Sequence, residues 1–330
     1  MKKQFKFGNE FSIGMYLGAY QFLQQTELEE FAKTQNVFTE NNPCNIYFIV
    51  KRPRLSLDKK FFIQEKEYVE IKYYIHVQDD KYERFLRLSI PQIDGEIKFE
   101  TNYPYNNFKM IFPNEFIVKY KLAALVDIIQ QQFHTEEPLL DYEVLYVGQA
   151  FGEDGKRTAI DRLDSHSTLQ KIYSEAMQRN PDSEIWIMLS NFLEQNFGLM
   201  SGRVIVPDEN KDEDLRRFTN FMDHTDSNFT EKQKINFTEA ALIQMFMPLY
   251  NKEFKGTFPN PVHSSYDECY KLGVNGIVVE TDTSGCRRWL YTEHLPRRKK
   301  GDMGTPYWQF AKFHFVTDED RYKMFNNEYL

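Results

Sequence analysis

A tyrosine, an arginine and a histidine that could act together on a phosphate group lie between residues 141 and 171. Tyr146 stands near the end of an apolar run typical of a buried strand, and Gly148 follows where the backbone can turn or approach another group closely. Arg162 and His166 are four residues apart in a segment with a helical pattern, so they share one helical face. Arginine offers phosphate oxygens a rigid fork of donors. The sequence therefore predicts a phosphate site at the end of this strand.

A glutamate further along the chain is the next candidate for chemistry. Glu239 follows Thr238, whose hydroxyl suits a helix N-cap, and it shares a helical face with Ile243 and Phe246. Pro248 ends this predicted helix. The alternative interpretation is a carboxylate that only stabilises the positive N-terminal end of the helix.

The order of these residues resembles the GIY-YIG nuclease superfamily over about residues 140–255. The run from Tyr146 to Gly148 is similar to the YIG strand of that family. Arg162, with His166 four residues later, is similar to the catalytic arginine of the helix that follows that strand. The resemblance implies a small mixed α/β nuclease domain.

The second half of the resemblance lies in the predicted helix of Glu239. A glutamate on a later helix, followed by a proline and an asparagine, is typical of the family, and Glu239, Pro248 and Asn251 match that order. One departure is that no GIY strand precedes the YIG-like strand at hairpin spacing. Tyr142 is too close to serve as the first tyrosine, and Tyr120 is far away.

The resemblance implies a metal-dependent endonuclease that hydrolyses DNA phosphodiester bonds. Arg162 would stabilise the charge that develops on the phosphate. Glu239 would hold one divalent ion, Mg²⁺ or Mn²⁺, which takes oxygen ligands and keeps several waters. Tyr146 and His166 would position or deprotonate the water, and the tyrosine would need its usual pKa of about 10 lowered to act as a base.

Further residues are predicted to bind the substrate. Arg157 and Lys171 are candidates for contacts with the nucleic-acid backbone, and Asn251 would shape the pocket or touch the phosphate. DNA is the expected substrate and RNA is the second candidate. A bacterial restriction or anti-phage defence system is the expected setting.

Composition sets limits on these hypotheses. The chain has 330 residues with a formal net charge of −8, so any nucleic-acid contact must be a local patch. The basic clusters near Arg287 and Arg297 either track a nucleic-acid backbone or are solvated charges beside a packed tryptophan. Cys44, Cys269 and Cys286 form no close pair, which favours reduced thiols in the cytoplasm. No apolar run approaches the roughly 18 residues of a membrane helix.

The predicted fold class is α+β, with two domains. Residues 1–137 are expected to form a domain that selects the target or a protein partner. Apolar residues at helical spacing predict one or two helices in residues 1–40, and an antiparallel sheet is expected in residues 45–118. Within this domain, the alternation of Tyr68 to Val77 predicts a strand, and residues 114–133 show helical spacing. Residues 138–330 are expected to form the GIY-YIG-like domain with a basic C-terminal extension.

Two alternatives to an active nuclease remain at this stage. The first is a catalytically inactive nucleic-acid-binding module on a nuclease-like fold, which the acidic net charge and the missing first tyrosine favour. The second is a protein-interaction module in which Tyr146, Arg162 and Glu239 are structural. Geometry separates them, because an active site requires these side chains to converge.

Overall fold

The α+β class is confirmed by a computed structural model. It describes residues 7–34, 37–39, 42–149, 163, 167–200, 206–223, 229–256, 274–297 and 307–314. The described part contains a nine-stranded mixed sheet, a separate three-stranded sheet and five α-helices. None of these described helices is long and apolar enough to cross a membrane.

The helices are numbered in chain order. They are α1 (Leu28–Thr34), α2 (Leu122–Gln132), α3 (Ser167–Arg179), α4 (Lys211–Asp223) and α5 (Glu231–Phe246). Single 3-10 turns lie at Gln25–Glu27, Pro138–Leu140 and Asp208–Asn210.

The strands are numbered in the same way. The first six are β1 (Asn9–Leu23), β2 (Ile46–Gln64), β3 (Tyr68–Val77), β4 (Asp80–Ser89), β5 (Lys98–Thr101) and β6 (Asn107–Ile111). The others are β7 (Ile117–Lys121), β8 (Tyr142–Gln149), β9 (Ser183–Met200), β10 (Val274–Asp282), β11 (Leu290–Tyr291) and β12 (Trp308–His314).

The large sheet has the order β11-β8-β2-β9-β1-β10-β12. Only β1–β10 and β8–β11 are parallel pairs in the described sheet. The first half of β2 lies between β8 and β9, and its second half leaves them to pair with β3, which in turn pairs with β4. Strands β5, β6 and β7 form the small antiparallel sheet.

Helices and the small sheet cover both faces of the large sheet. One face packs against α1 and α3 through Leu28, Leu169 and Ile172. The other packs against α2, α4, α5 and the small sheet, with Phe246 edge-on to Phe48 and Phe221 stacked on Phe11. Because central strands are buried on both faces, they read as continuous apolar runs rather than alternating ones.

Two buried arginines hold α2 against the sheet. Arg52 of β2 donates from Nη1 to both carboxylate oxygens of Asp127, at 3.0 and 2.8 Å, and its guanidinium lies 4.5 Å from the Trp186 ring. Arg288 donates to the same carboxylate and to Gln130. Since both arginine side chains are almost fully buried, Asp127 compensates charge that water cannot reach.

The structure confirms one of the local predictions and corrects two. The strand predicted at Tyr68–Val77 is confirmed, but residues 9–23 form β1 rather than a helix. Of residues 114–133, only the second half is helical, because Ile117–Lys121 pairs with β6. Tertiary strand pairing overrides the helical spacing of the apolar residues in both segments.

The predicted division after residue 137 runs through the large sheet. Strands β1 and β2 come from the predicted first domain, yet they hydrogen-bond to β8, β9 and β10 of the second. The segment between β2 and β8 carries β3 to β7 and α2, and it joins the large sheet through the pairing of β3 with the second half of β2. That segment is called the insertion below.

Candidate functional site

Three of the candidate residues, Tyr146, Asn251 and Glu239, lie on β8 or against its outer edge. This strand pairs with β2 on its inner side, but on its outer side β11 covers only Tyr142 and Glu143. Beyond Glu143, other parts of the chain must bind the outward-facing N–H and C=O groups of the strand. The partners come from α5 and from the loop after it.

Asn251 replaces a neighbouring strand at Val147. Its side-chain Oδ1 accepts from the Val147 N–H at 2.9 Å, and its Nδ2 donates to the Val147 carbonyl at 2.8 Å. Just before it, the Tyr250 N–H donates to the Leu145 carbonyl at 3.0 Å. The asparagine predicted to bind substrate therefore shapes the strand edge with both ends of its amide.

Glu239 closes the same edge one step further along the strand. Its Oε1 accepts from the Gln149 N–H at 3.2 Å, and the residue is buried. The glutamate lies in the third turn of α5, because the helix begins at Glu231 with Thr230 and Gln233 forming a capping box. The prediction that Thr238 caps this helix is wrong: its hydroxyl donates back to the Lys234 carbonyl. Glu239 is therefore too far from the helix start to serve its N-terminal dipole.

Tyr146 lies on the face of β8 that α3 covers, and it has a tyrosine neighbour on β2. Tyr47 pairs with Gly148 in the antiparallel register, and the Tyr47 and Tyr146 rings have centroids 6.1 Å apart. A Cβ on Gly148 would lie 2.6 Å from both Cζ and Oη of Tyr47 and 2.7 Å from Cε1 of Tyr146. Only glycine leaves room for the two rings here.

A register irregularity places Tyr146 on this face. Ile49 pairs with Tyr146 and the next residue, Val50, pairs with Val144, so Leu145 is an extra residue in β8. Such bulges redirect side chains and are common beside active sites. Leu145 and Tyr146 consequently both join the hydrophobic cluster on the α3 side.

The tyrosine pair and Glu239 contact two neighbouring residues of β8, Gly148 and Gln149. Gly148 lies under the Tyr47 hydroxyl, and it is bonded directly to Gln149, whose N–H Glu239 accepts. Ordinary bond lengths along this path place the Tyr47 hydroxyl oxygen and Glu239 Oε1 within about 10 Å of each other. The phenols approach from one face of the sheet and the carboxylate from its edge.

Exposure distinguishes the two tyrosines. Tyr47 is fully buried, whereas Tyr146 is partly exposed. Of the pair, Tyr146 is the one that a ligand can reach, and Tyr47 supports it from beneath.

Of the other predicted residues, only Lys171 lies in the part of the chain that the structure describes. Arg157, Arg162 and His166 lie outside the described residues. Leu163, which follows Arg162, belongs to the same hydrophobic cluster as Tyr47. Lys171 is exposed on α3, where it lies 3.7 Å from Glu175.

A hydrogen bond connects α3 with the loop that closes the β8 edge. The Tyr250 hydroxyl donates to Glu175 Oε2 at 2.6 Å, and Lys171 Nζ lies 5.8 Å from the Tyr250 ring centroid. Burial, together with the carboxylate, raises the pKa of Tyr250 to about 12. This phenol stays protonated at neutral pH and holds α3 to the strand edge.

The described arginines of the two basic clusters near the C-terminus are paired with carboxylates, whereas Arg298, Lys299 and Lys300 lie outside the described residues. Arg288 is buried in the pair with Asp127. Arg287 lies 3.0 Å from Glu136, and Arg297 lies 3.4 Å from a carboxylate oxygen of Asp141. Each of these three described arginines therefore has a carboxylate partner within the chain.

Glu239 is the residue predicted to hold Mg²⁺ or Mn²⁺. In the described part of the chain, no three histidine, cysteine, aspartate or glutamate side chains come together as metal ligands. A single carboxylate still fits Mg²⁺ or Mn²⁺, since such ions are often held by one or two carboxylates with water and substrate phosphate completing the shell.

Sequence reasoning missed Tyr47. The run Asn45-Ile46-Tyr47 opens the long apolar stretch of β2, but it lies almost a hundred residues before Tyr146. No hairpin spacing points to it, because the whole insertion separates the two paired strands. The usable signal was an apolar run with an early tyrosine, sought at any distance upstream.

Comparison with protein-family models, with curated proteins and with solved structures finds no match for this chain.

Proposed function

We propose that the chain is a metal-dependent endonuclease that hydrolyses DNA phosphodiester bonds at a GIY-YIG-like site on the edge of β8. The observation that carries the proposal is the arrangement around Gly148. Two tyrosine rings pack over this glycine, and Glu239 accepts a hydrogen bond from the next residue. A phenol that a ligand can reach and a carboxylate are thereby held on one short piece of backbone.

Tyr47 supplies the first tyrosine that the family resemblance lacked. It lies on the strand that pairs antiparallel with β8, opposite the glycine of the YIG-like run. In the proposed site, Tyr146 contacts the substrate or the attacking water. Tyr47 packs against its ring and fixes its position.

The remaining roles follow the chemistry of phosphodiester hydrolysis. Glu239 would hold one Mg²⁺ or Mn²⁺, which supplies Lewis acidity to the leaving oxygen. Arg162 would stabilise the negative charge that develops on the phosphate, and His166 would help position the water. Leu163 supports this assignment, because the residue after Arg162 packs in the cluster that contains Tyr47.

The proposed setting is a restriction or anti-phage defence system in the cytoplasm. Cys44 and Cys286 are unpaired thiols, in keeping with a reducing compartment. The insertion between β2 and β8 is the proposed module for selecting the target or a protein partner. DNA remains the expected substrate and RNA the second.

The test is cleavage by the purified full chain with Mg²⁺ or Mn²⁺, on plasmid, linear and single-stranded DNA and on RNA. We expect DNA cleavage that Glu239→Gln reduces by at least about 100-fold, since the neutral amide holds the ion poorly. Glu253→Gln is the matched control, because Glu253 is exposed on the loop after α5. It should cleave like the unmodified chain.

Two further outcomes separate the alternatives. If the chain binds nucleic acid and cuts none of the substrates, it is the inactive binding module. If it neither binds nor cuts, the nuclease proposal fails and the protein-interaction alternative stands. Equal loss of activity in the Glu239 and Glu253 variants would also count against the assigned site.

A further inference from the structure

The outer edge of β4 has no strand partner among the described residues. β4 is ten residues long and pairs only with β3, in a register that starts at the two-residue turn between Val77 and Asp80. A free edge of this length is a template for pairing with another chain unless the sequence prevents it.

The register shows which backbone groups of β4 point outward. Paired residues in an antiparallel ladder alternate between hydrogen-bonded and non-hydrogen-bonded positions. The Ile90 N–H donates to the Glu67 carbonyl in continuation of the ladder, so even-numbered residues of β4 bond to β3. The odd-numbered residues therefore direct their N–H and C=O groups away from β3; they are Lys81, Glu83, Phe85, Arg87 and Ser89.

The outward-facing residues carry a pattern that is complementary to itself. Phe85 stands at the centre and is 52% exposed, although protected edges usually place a lysine or proline at such a position. Glu83 lies two residues before it and Arg87 two residues after it, and both charged side chains are substantially exposed. Reversing the strand direction about Phe85 exchanges the acidic position with the basic one.

We propose that β4 pairs antiparallel with β4 of a second copy of this chain, with the two-fold axis at Phe85. Phe85 then lies opposite Phe85 of the partner subunit, and Glu83 lies opposite Arg87 of the partner subunit on both sides of the axis. The five outward residues of each copy form five hydrogen-bonded pairs, about ten backbone hydrogen bonds in all. The β2–β3–β4 layer becomes a six-stranded sheet.

Charge selects this register over its neighbours. A register displaced by two residues in one direction places Lys81 opposite Arg87, and like charges directly opposite are destabilising. The displacement in the other direction leaves Glu83 opposite Ser89, without a charged partner. Only the pairing centred on Phe85 gives two opposite-charge pairs and one aromatic pair.

Residues already present on β3 strengthen the charged pairs. Glu83 lies 3.4 Å from Lys72, and Arg87 is paired with Glu70. In the paired sheet, each contact across the axis joins these two ion pairs into a row of four alternating charges. A network of this kind contributes more than an isolated exposed pair. The inference does not depend on the proposed nuclease activity.

The experiment is sedimentation velocity of the full chain over a concentration series. The unmodified chain should form dimers, and Arg87→Glu and Glu83→Arg should each weaken the dimer at least tenfold, because each places like charges opposite one another. An equimolar mixture of the two variants should restore a dimer, since one copy then has two acidic positions and the other has two basic ones. A chain that stays monomeric up to about 100 µM overturns the proposal.

One control variant and one further interface variant exclude indirect effects. Lys98→Glu reverses an exposed charge on β5, away from this edge, and should leave the dimer unchanged. Phe85→Lys places like charges on the axis and should weaken the dimer without disturbing the Arg87–Glu70 pair. Circular dichroism checks that each variant is folded. If the folded Arg87→Glu, Glu83→Arg and Phe85→Lys variants dimerise like the unmodified chain, the interface is not β4. The same conclusion follows if the mixture of Arg87→Glu and Glu83→Arg stays monomeric.

Discussion

The outer edges of β8 and β4 belong to one sheet, but their outward-facing backbone groups are treated differently. Along β8, side chains and loop backbone take the place of a strand: Asn251 binds Val147, the Tyr250 N–H binds Leu145, and Glu239 binds Gln149. Along β4, five residues direct their backbone groups outward beneath exposed, mostly charged side chains.

The difference follows from burial. A buried backbone group without a partner costs about 1–3 kcal/mol, so the buried edge of β8 needs polar side chains at fixed positions. The edge of β4 can use water or another chain. A residue that does chemistry on the β8 edge is therefore also part of the structure, and its replacement has two effects that must be measured separately.

The largest expected effect on stability comes from removing the asparagine on the β8 edge. Asn251→Ala leaves the buried N–H and C=O of Val147 without partners, and we expect a loss of about 2–5 kcal/mol in the free energy of unfolding. Urea denaturation measures it. Asn251→Asp keeps an acceptor for the Val147 N–H but places a carboxylate against the Val147 carbonyl, so it should not restore the stability of the unmodified chain. A loss below about 1 kcal/mol would mean that water replaces the amide.

Just before β8, the buried carboxyl group of Asp141 is expected to make the stability of the protein depend on pH. Asp141 accepts from the Trp289 N–H at 2.9 Å, and burial raises its pKa to about 6. Since the folded state holds this proton more tightly than the unfolded state, the group's contribution to stability falls as pH rises from about 4 to about 6. The expected change is about 3 kcal/mol.

Asp141→Asn is the variant that isolates this contribution. Its amide oxygen can still accept from Trp289, but it does not titrate. The stability of the unmodified chain relative to this variant should therefore decrease between pH 4 and pH 7 in urea denaturation. A difference that is constant with pH would mean that Arg297, 3.4 Å away, keeps the carboxylate ionised throughout.

A smaller effect is expected where the tyrosines pack on β8. Gly148→Ala would place a methyl group against the ring of fully buried Tyr47, and we expect a loss of about 1–3 kcal/mol from overpacking. Combining it with Tyr47→Leu removes the contact with the Tyr47 ring and leaves the one with Tyr146. The double variant should then be more stable than the sum of the two single changes predicts, as thermal unfolding of all four chains would show.

The smallest effect is expected on the β4 edge. Arg87 is mostly exposed, and its ion pair with Glu70 is of the surface type. Arg87→Ala should leave the free energy of unfolding almost unchanged when measured on dilute protein. A loss as large as that of Asn251→Ala would show that the two edges are not different in kind.

Local patterns predicted the elements whose partners are close in sequence. The alternation of Tyr68 to Val77 was sufficient for β3, because its partner β4 follows after a two-residue turn. The same reasoning failed for β1, where the apolar spacing looked helical. Its pairing with β9 and β10 buries it on both sides and leaves no alternation to read.

Parts of the candidate site were predicted for the same reason. Tyr146 and Glu239 stand in recognisable local contexts, and the structure brings both to the edge of β8. Tyr47 and Arg52 have no such context, because a tyrosine or an arginine in an apolar run acquires its role from partners far along the chain. Residues whose role depends on distant pairing cannot be assigned from one sequence by spacing.

The topology also determines when the sheet can form during synthesis. β1 and β2 emerge from the ribosome first, but their partners β8, β9 and β10 emerge after the insertion has been made. The β3–β4 hairpin needs only its own twenty-two residues, from Tyr68 to Ser89. Because long-range pairing is slow, β1 and the first half of β2 stay unpaired longest. The nascent chain therefore has its greatest need of a chaperone until β9, which pairs with both strands, has been translated.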